Sequence, residues 1–342
     1  MSKEKVLIVA ELSANHNGSL ETAIDTIKAA KRVGADAIKL QTYLPETMTI
    51  DCDLPDFTIN NGSIWDGENY FSLYEKAHTP WEWHHELFRV AKQEGLICFS
   101  TPFDFTAVDF LESLDNPIYK IASFEITDLA LIEYIASKGK PIIISTGIAQ
   151  KEDIDLAIKT IRKTGNNQIT VLKCTSSYPA PIEEANLSLL TQIKKEFNVE
   201  VGLSDHTLGI TAPVVAVALG AKIIEKHFIL DKKIGGPDAS FSLEPKDFEK
   251  MVKAVRKTES SIGNGDYKLT NKQRSGKQFS RSLYIIKDVV KGEIVSHENV
   301  KSIRPGFGLH PKYLNQILGK KFNQSFEKGT RLTRESIENF KH

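Results

Sequence analysis

The amino-acid sequence predicts an α/β protein in which a closed (β/α)8 barrel precedes a small second domain. The first observation is a series of eight short runs rich in β-branched residues, with amphipathic stretches between them. Strands that alternate with helices form parallel sheets, and eight such units over about 230 residues have the size of a closed barrel. The second observation is that the alternation stops near residue 261. An open, doubly wound sheet is the alternative that this pattern leaves.

The strands and helices follow from local pattern. Stretches such as LETAIDTIKAAKRVG and KEDIDLAIKTIRKTG carry apolar residues at helical spacing, and the second ends in Lys, Arg and Gly, which are typical of a helix C-terminus. The predicted strands are VLIVA (6–10), DAIKL (36–40), LICFS (96–100), PIYKI (117–121), PIIIS (141–145), ITVLKC (169–174), VEVGL (199–203) and KIIEK (222–226).

The interval between the second and third strands is the longest. Residues 45–70 are rich in Pro, Asp, Asn and Gly, which favours irregular structure. We therefore expect residues 42–80 to form a loop inserted over the mouth of the barrel, where functional loops of barrels lie. A helical pattern follows from Trp81 onward.

The end of the alternating pattern predicts the domain boundaries. Residues 1–260 would form the barrel, and the polar, glycine-containing residues 261–281 would form a linker. Residues 282–342 contain short strands and turns. A unit of about 60 residues is small, but it can fold if it docks on a partner.

Composition excludes several classes of function. The formal net charge is +0 and the pI is about 7.1, so no bulk positive field is available for nucleic acid or an anionic membrane. Only three cysteines occur, Cys52, Cys98 and Cys174, and the last two lie in the apolar runs ICFS and VLKC, which indicates reduced, mostly buried thiols and no disulfide framework. The apolar stretch in MSKEKVLIVAELS is too short for a signal peptide or a membrane span. We therefore expect a cytoplasmic protein.

Polar residues stand where each apolar run ends. Side chains alternate faces along a strand, so Lys39 shares a face with Gln41, and Glu225 shares one with His227. In a barrel such residues converge at the carboxyl-terminal mouth, where barrel enzymes act. The residues at the strand ends are Glu11, Lys39, Gln41, Ser100, Thr101, Lys120, Ser123, Ser145, Thr146, Lys173, Thr175, Asp205, His206, Glu225 and His227.

These residue types predict an anion site and a metal site. Lys39, Lys120 and Lys173 at equivalent strand ends, together with Ser and Thr hydroxyls, would bind a small polyanion; the alternative is that they are solvated surface lysines. His206 and His227 would supply two imidazoles to Mn²⁺ or Mg²⁺; the alternative is that both are structural. Structural zinc is not expected, because no thiolates stand at metal-ligand spacing.

Several motifs in a fixed order resemble those of the sialic acid synthase family, and SLYIIKDVVKGEIVSHENV followed by SIRPGFGLHP resembles the antifreeze-like (SAF) domain of that family. The resemblance covers nearly the whole chain and implies a TIM barrel followed by an SAF domain. The motifs are AELSANHNG (10–18), KLQTY (39–43), FSTPF (99–103), KIASFE (120–125), STG (145–147), SDHT (204–207), EKHF (225–228) and GGPD (235–238).

Within that family, AELSANH (10–16), CTSSYP (174–179) and RPGFGLHP (304–311) most resemble the branch that makes pseudaminic acid. Ser176 stands where the acetylneuraminate branch more usually has Asn. The resemblance implies that phosphoenolpyruvate, the open-chain form of 2,4-diacetamido-2,4,6-trideoxy-L-altrose and water give the nine-carbon sugar acid and phosphate. Synthases of N-acetylneuraminate or legionaminate are the nearest alternatives. A Schiff-base aldolase using Lys120 or Lys173, and a non-catalytic carbohydrate-binding protein, are more distant ones.

The resemblance also implies roles for individual residues. His206 and His227 would ligate the divalent metal, and Glu11 would position or deprotonate the attacking water. Arg304 would reach the sugar in the other subunit of a domain-swapped homodimer. The residues expected to hold phosphoenolpyruvate are Lys39, Gln41, Thr101, Lys120, Ser123, Ser145 and Ser176, and those expected to meet the sugar are Glu11, Glu125, Tyr178, Asp238 and Arg304.

Overall fold

The barrel predicted from the alternating pattern is present in the computed structural model, which describes residues 5–340. Eight parallel strands pair in sequence order, and β1 pairs with β8 to close the sheet. Each strand lies within about two residues of its predicted position, because the β-branched runs that predict it are the buried ones. The strands are β1 (Leu7–Glu11), β2 (Ala37–Thr42), β3 (Ile97–Pro102), β4 (Tyr119–Ile121), β5 (Ile142–Ser145), β6 (Ile169–Cys174), β7 (Glu200–Asp205) and β8 (Ile223–His227).

Helices cover the outside of the barrel, where a large cluster of buried apolar residues joins them to the strands. None of the helices within residues 5–340 is long and apolar enough to cross a membrane. The helices are α1 (Leu20–Arg32), α2 (Pro45–Met48), α3 (Tyr70–Ala77), α4 (Trp81–Gln93), α5 (Phe105–Ser113), α6 (Leu129–Ser137), α7 (Lys151–Lys163), α8 (Leu189–Phe197), α9 (Thr211–Ala218), α10 (Pro245–Ser261), α11 (Asn271–Gly276) and α12 (Leu314–Ile317).

A second, smaller apolar cluster fills the inside of the barrel. It consists of inward-facing residues from six strands, with Leu7 and Ile118 packed against it: Val9, Ala37, Phe99, Ile143, Leu172 and Ile223. Because side chains alternate, the next inward position on each strand lies two residues further toward the carboxyl end. That position is polar on seven strands and a cysteine on β6, and the eight residues are Glu11, Lys39, Thr101, Lys120, Ser145, Cys174, Ser204 and Glu225. We call these eight residues the polar layer.

The insertion over the barrel mouth has more regular structure than the sequence predicted. Residues 42–80 contain α2, α3 and a bridge between Thr58 and Asn69. Helix α3 begins where the Asn69 side chain accepts hydrogen bonds from the backbone N–H groups of Phe71, at 2.8 Å, and Ser72, at 3.4 Å. Asparagine is as common in loops as at the start of a helix, so its presence alone did not predict α3.

The chain divides into two compact units, the first ending at Gly263 and the second beginning at Asn264. In the second unit, β9 (Ser282–Ile285) pairs antiparallel with β10 (Val300–Ile303). The predicted linker is not wholly irregular, because α11 forms within it, capped by the Thr270 side chain. The second unit has its own buried core, which includes Leu283, Ile285, Val295, Phe322 and Leu332.

Candidate active site

Four charged side chains of the polar layer meet inside the barrel. Lys39 pairs with Glu11 and lies 3.4 Å from Glu225 Oε1, and Lys120 Nζ lies 3.3 Å from the same oxygen. All four side chains are at most 4% exposed. Ser204 adds a 3.0 Å hydrogen bond to Glu225 Oε1. Buried charges are costly unless paired, so this cluster places two ammonium groups at the mouth and holds them with carboxylates.

The two carboxylates of this cluster differ in proton affinity. Burial raises the pKa of Glu11 to about 7, although Lys39 opposes the rise. Burial would also raise the pKa of Glu225, but Lys120 and Lys39 outweigh it and lower that pKa to about 2. Glu225 therefore carries the fixed negative charge, while Glu11 can gain or lose a proton near neutral pH.

Hydroxyl groups stand beside the lysines. Lys39 Nζ lies 3.4 Å from Thr101 Oγ1, and the Gly147 N–H donates to Ser123 Oγ at 3.0 Å. A Cβ at Gly147 would overlap the Ser176 hydroxyl, so only glycine allows Ser123 and Ser176 to approach this backbone together. Ser145 Oγ is buried without a hydrogen-bond partner among the described residues. Such a set of hydroxyls near two lysines is suited to phosphate or carboxylate oxygens.

The two predicted metal-ligand histidines lie side by side, with ring centroids 5.3 Å apart. His206 Nδ1 lies 3.0 Å from the carbonyl oxygen of Thr175, which can only accept a hydrogen bond, so Nδ1 carries a proton and, in the neutral ring, Nε2 carries the free lone pair. Burial lowers the pKa of His206, but Cys174 and the Thr175 carbonyl outweigh it and raise that pKa, so a metal bound at Nε2 would have to displace a proton. Burial holds the pKa of His227 well below its usual value, and its Nδ1 has no hydrogen-bond partner within the described part of the chain. His227 is therefore neutral, as a metal ligand must be.

These two imidazoles fit a divalent metal with several open positions. No group of three or more His, Cys, Asp or Glu side chains among residues 5–340 is arranged to hold a metal. A metal bound here would complete its shell with water or substrate oxygens, as Mn²⁺ and Mg²⁺ commonly do. Asp238 Oδ2 lies 3.8 Å from His227 Nδ1 and accepts hydrogen bonds from the Ser13 hydroxyl and, at 3.3 Å, the Ala14 N–H.

A cavity of about 440 Å³ opens above these groups. Its polar lining includes Gln41, Glu125, Tyr178 and Asp238, with His227 at the barrel side. Burial raises the pKa of Glu125 to about 7, and its Oε2 has no hydrogen-bond partner in the described structure. The Tyr178 ring lies 4.3 Å from the His206 ring, centroid to centroid. The cavity therefore joins the histidines to a space that can hold a ligand with several polar groups.

Comparisons with known proteins agree with this geometry. The sequence profile of the NeuB family matches residues 26–267, and that of the SAF domain matches residues 280–338. A pseudaminic acid synthase of Campylobacter jejuni is 51% identical over 96% of both chains, and one of Helicobacter pylori is 46% identical over 97% of both. This chain belongs to the NeuB family. An N,N'-diacetyllegionaminic acid synthase of Campylobacter jejuni is 38% identical over 93% of this chain and 96% of its own.

In this NeuB-family barrel, the structure brings together most of the residues predicted from sequence. Glu11, Lys39, Thr101, Lys120 and Ser145 belong to the polar layer. Gln41, Ser123, Ser176, Glu125, Tyr178, Asp238, His206 and His227 lie around the cavity or the histidine pair. Arg304 belongs to the second unit, between β10 and the turn that follows it.

Lys173 does not belong with the other two lysines. Leu172 faces the barrel interior, so Lys173 faces outward, where its Nζ donates to the carbonyl oxygen of Cys174 at 2.7 Å and contacts Thr175 Oγ1 at 2.8 Å. The prediction that three lysines converge was therefore wrong for Lys173. Conversely, no role was predicted for Glu225, although it shares a strand face with His227, and this shared face was the available signal.

Proposed function

We propose that this protein is a pseudaminic acid synthase, a transferase that condenses phosphoenolpyruvate with 2,4-diacetamido-2,4,6-trideoxy-L-altrose and water to give pseudaminic acid and phosphate. The observation that carries the proposal is the polar layer, in which Lys39 and Lys120 meet buried hydroxyls below a cavity with polar groups. The choice of sugar rests on identities of 46–51% to pseudaminic acid synthases, against 38% to the legionaminic acid synthase.

Phosphoenolpyruvate would bind at the polar layer because it is a compact polyanion. Lys39 and Lys120 supply two cations that water hardly reaches, which strengthens each contact. Hydroxyls of Thr101, Ser145 and Ser123 would bind the remaining oxygens, and Gln41 and Ser176 would complete this side of the site. Glu225 holds both lysines in place but, since its charge is fixed, takes no proton.

The sugar would bind in the cavity with its aldehyde toward the histidines. Tyr178 packs against the His206 ring at an interplanar angle of 43° and would help to orient it. Asp238 and Glu125, which line the cavity, would form hydrogen bonds with the sugar's polar groups. A divalent metal, Mn²⁺ or Mg²⁺, held by His206 and His227 would supply Lewis-acid polarisation of the aldehyde oxygen.

Glu11 is the proposed base for the water. Attack of the phosphoenolpyruvate C3 carbon on the aldehyde leaves a cationic C2, to which water adds. Glu11, ionised above a pKa of about 7 and adjacent to Lys39, accepts the proton that this water loses. The tetrahedral intermediate then releases phosphate by C–O cleavage, and the proton of its C2 hydroxyl leaves with the phosphate, so that C2 becomes the ketone of the product. The proton taken up by Glu11 is balanced by the one that the former aldehyde oxygen gains as it becomes a hydroxyl.

A homodimer is part of the proposal, with Arg304 of each copy reaching the sugar bound in the barrel of the other copy. Support comes from the barrel mouth, where large apolar residues are exposed after five successive strands. Phe105, Phe124, Ile148, Ile182 and Leu208 follow β3 to β7 and are 45–60% exposed. Exposed apolar groups that recur around one face are typical of a protein interface. Three unpaired cysteines are compatible with the expected cytoplasmic location.

The proposed function is tested by phosphate release from phosphoenolpyruvate in the presence of Mn²⁺. The trideoxy-L-altrose sugar, the corresponding legionaminate precursor and N-acetylmannosamine are compared, each with and without EDTA. EDTA-sensitive release with the altrose sugar alone is expected. Release with another sugar would keep the mechanism but show that the substrate is that sugar, and no release with any sugar would overturn the proposal. Trapping of pyruvate by borohydride at Lys120 would indicate the aldolase mechanism instead.

A further inference from the structure

A further buried ion pair lies beside the two histidines, on the outer face of the barrel. Lys226 Nζ lies 2.5 Å from Asp205 Oδ2, and both side chains are 1% exposed. Side chains alternate along a strand, so the residues that follow Ser204 and Glu225 of the polar layer face outward. Neither residue of this ion pair lines the cavity, and the proposed chemistry does not use it.

The ion pair joins β7 to β8 at the last paired position before the histidines. Asp205 lies directly opposite Lys226 in the register of the two strands. His206 follows Asp205 in the chain, and His227 follows Lys226. Each partner of the ion pair is therefore one peptide bond away from a proposed metal ligand, so the link between the partners fixes the spacing of the two histidine backbones.

The same two side chains hold the backbone on both sides of His206. Asp205 Oδ1 accepts hydrogen bonds from the Thr207 N–H at 2.9 Å and from the Thr207 hydroxyl at 2.8 Å. Lys226 Nζ donates to the Thr207 carbonyl oxygen at 2.5 Å. The residues before and after His206 are thus tied to each other and to β8, which limits movement of the His206 ring relative to His227.

Stability alone does not account for two charges at this position. A buried ion pair gains little over apolar side chains of similar volume, because the desolvation of both ions offsets their attraction. The neighbouring outward-facing residues Leu203 and Ile224 belong to the apolar cluster beneath the helices, so this face accommodates apolar side chains. What an apolar pair could not supply is the set of directional hydrogen bonds to Thr207.

We propose that Lys226 and Asp205 are positioning residues, which hold the two histidines at the separation needed to bind one divalent metal ion. This inference rests on the proposed function, from which it takes the metal, and adds to it the residues that preorganise the site. Groups that support metal ligands typically contribute about 10- to 100-fold to metal affinity. Loss of the Lys226 ammonium group should therefore weaken metal binding by about this factor, although Lys226 faces away from the site.

The test measures Mn²⁺ binding to the full-length protein by electron paramagnetic resonance, in which free Mn²⁺ gives the signal. Lys226→Met is expected to raise the dissociation constant about 10- to 100-fold. His227→Ala should abolish the same binding, which shows that the signal reports this site. Arg256→Met is the matched control and should leave the constant unchanged. Arg256 pairs with Asp36 and donates to the Val6 carbonyl oxygen at 2.7 Å, at the opposite, amino-terminal end of the barrel.

A double variant, Asp205→Asn with Lys226→Met, separates positioning from folding. Removing one charge leaves the other buried and unpaired, which is strongly destabilising, whereas removing both leaves no unpaired charge. Asparagine keeps an oxygen for the Thr207 N–H, but the bond from Lys226 to the Thr207 carbonyl is lost. The double variant should be more stable to heat than Lys226→Met, while its dissociation constant for Mn²⁺ stays at least about 10-fold above that of the wild type.

The outcomes distinguish failure of this inference from failure of the proposed metal site. If the wild type does not bind Mn²⁺, or if His227→Ala binds it equally well, the metal site of the proposed function fails and the inference fails with it. If wild-type binding needs His227 but the folded double variant binds Mn²⁺ with the wild-type constant, the ion pair is only structural and the inference is overturned. An equal loss of affinity in Arg256→Met would also overturn it, because general destabilisation would then explain the effect.

Discussion

Replacing Lys120 with methionine tests whether the polar layer binds phosphoenolpyruvate. Lys120 is 2% exposed, and burial lowers its pKa while Glu225, 3.3 Å away, opposes that effect. Methionine keeps most of the side-chain volume and removes the charge. Truncating one partner of a buried, hydrogen-bonded charge pair costs about 2–5 kcal/mol. At about 1.4 kcal/mol for each factor of ten, the dissociation constant should rise about 30-fold to several thousand-fold.

Lys173→Met is the matched control for this experiment. Lys173 is also buried at the end of a strand, but it faces outward and bonds to its own loop. Titration calorimetry of phosphoenolpyruvate in the presence of Mn²⁺ should give a wild-type dissociation constant for Lys173→Met and a much larger one for Lys120→Met. Thermal unfolding of both variants checks that each is folded. An unchanged constant in a folded Lys120→Met protein, or equal losses in both variants, would refute the role assigned to the polar layer.

Three further predictions follow from the same site. Glu11→Gln should lower kcat by about 10²–10⁴-fold in phosphate-release assays while the protein stays folded, and near-wild-type turnover would remove Glu11 from the mechanism. Burial raises the pKa of Glu11 in the folded protein from 4.5 to about 7. Between these two pH values the folded protein therefore binds more protons than the unfolded chain, so the contribution of Glu11 to stability falls as the pH rises from 4.5 to 7. The unfolding free energy of Glu11→Gln minus that of the wild type should therefore increase by up to roughly 3 kcal/mol between pH 5 and pH 8. Thermal unfolding of both proteins at the two pH values measures this difference, and an equal difference at both would contradict the burial argument. Heterodimers of one Glu11→Gln subunit and one Arg304→Ala subunit, purified with two tags, should have about half the wild-type activity per dimer. The barrel of the Arg304→Ala subunit keeps Glu11 and receives Arg304 from the other subunit, so one site is intact. Inactive heterodimers would show that Arg304 does not act across subunits.

The barrel could be predicted from sequence because its strands are local features. β-Branched runs set the strands, and polar residues at their ends marked the mouth, so Glu11, Lys39 and His227 were found without knowledge of their neighbours. The orientation of side chains could not be predicted in the same way. In β6, Val171 and Leu172 are both buried, one outside the barrel and one inside. Since both faces of such a strand are apolar, the sequence does not reveal which one faces inward.

Long-range pairing explains the other differences. Glu225 acquires its role only because Lys39 and Lys120, from two distant strands, reach the same carboxylate oxygen. Likewise, Ile59 is apolar in a segment rich in turn residues, and only the fold of the insertion places it against the cavity. Sequence pattern identifies which residues lie at the mouth, whereas their partners depend on barrel closure and on the insertion.

The fate of the bridging oxygen of phosphoenolpyruvate distinguishes C–O cleavage from P–O cleavage. Substrate labelled with ¹⁸O between C2 and phosphorus is incubated with the trideoxy-L-altrose sugar and Mn²⁺, and both products are examined by mass spectrometry. If carbon–carbon bond formation is followed by addition of water at C2 and C–O cleavage, the phosphate should carry the label and the organic product should have the mass of unlabelled pseudaminic acid. Label retained entirely in the organic product, with none in phosphate, would mean P–O cleavage and would contradict the proposed reaction.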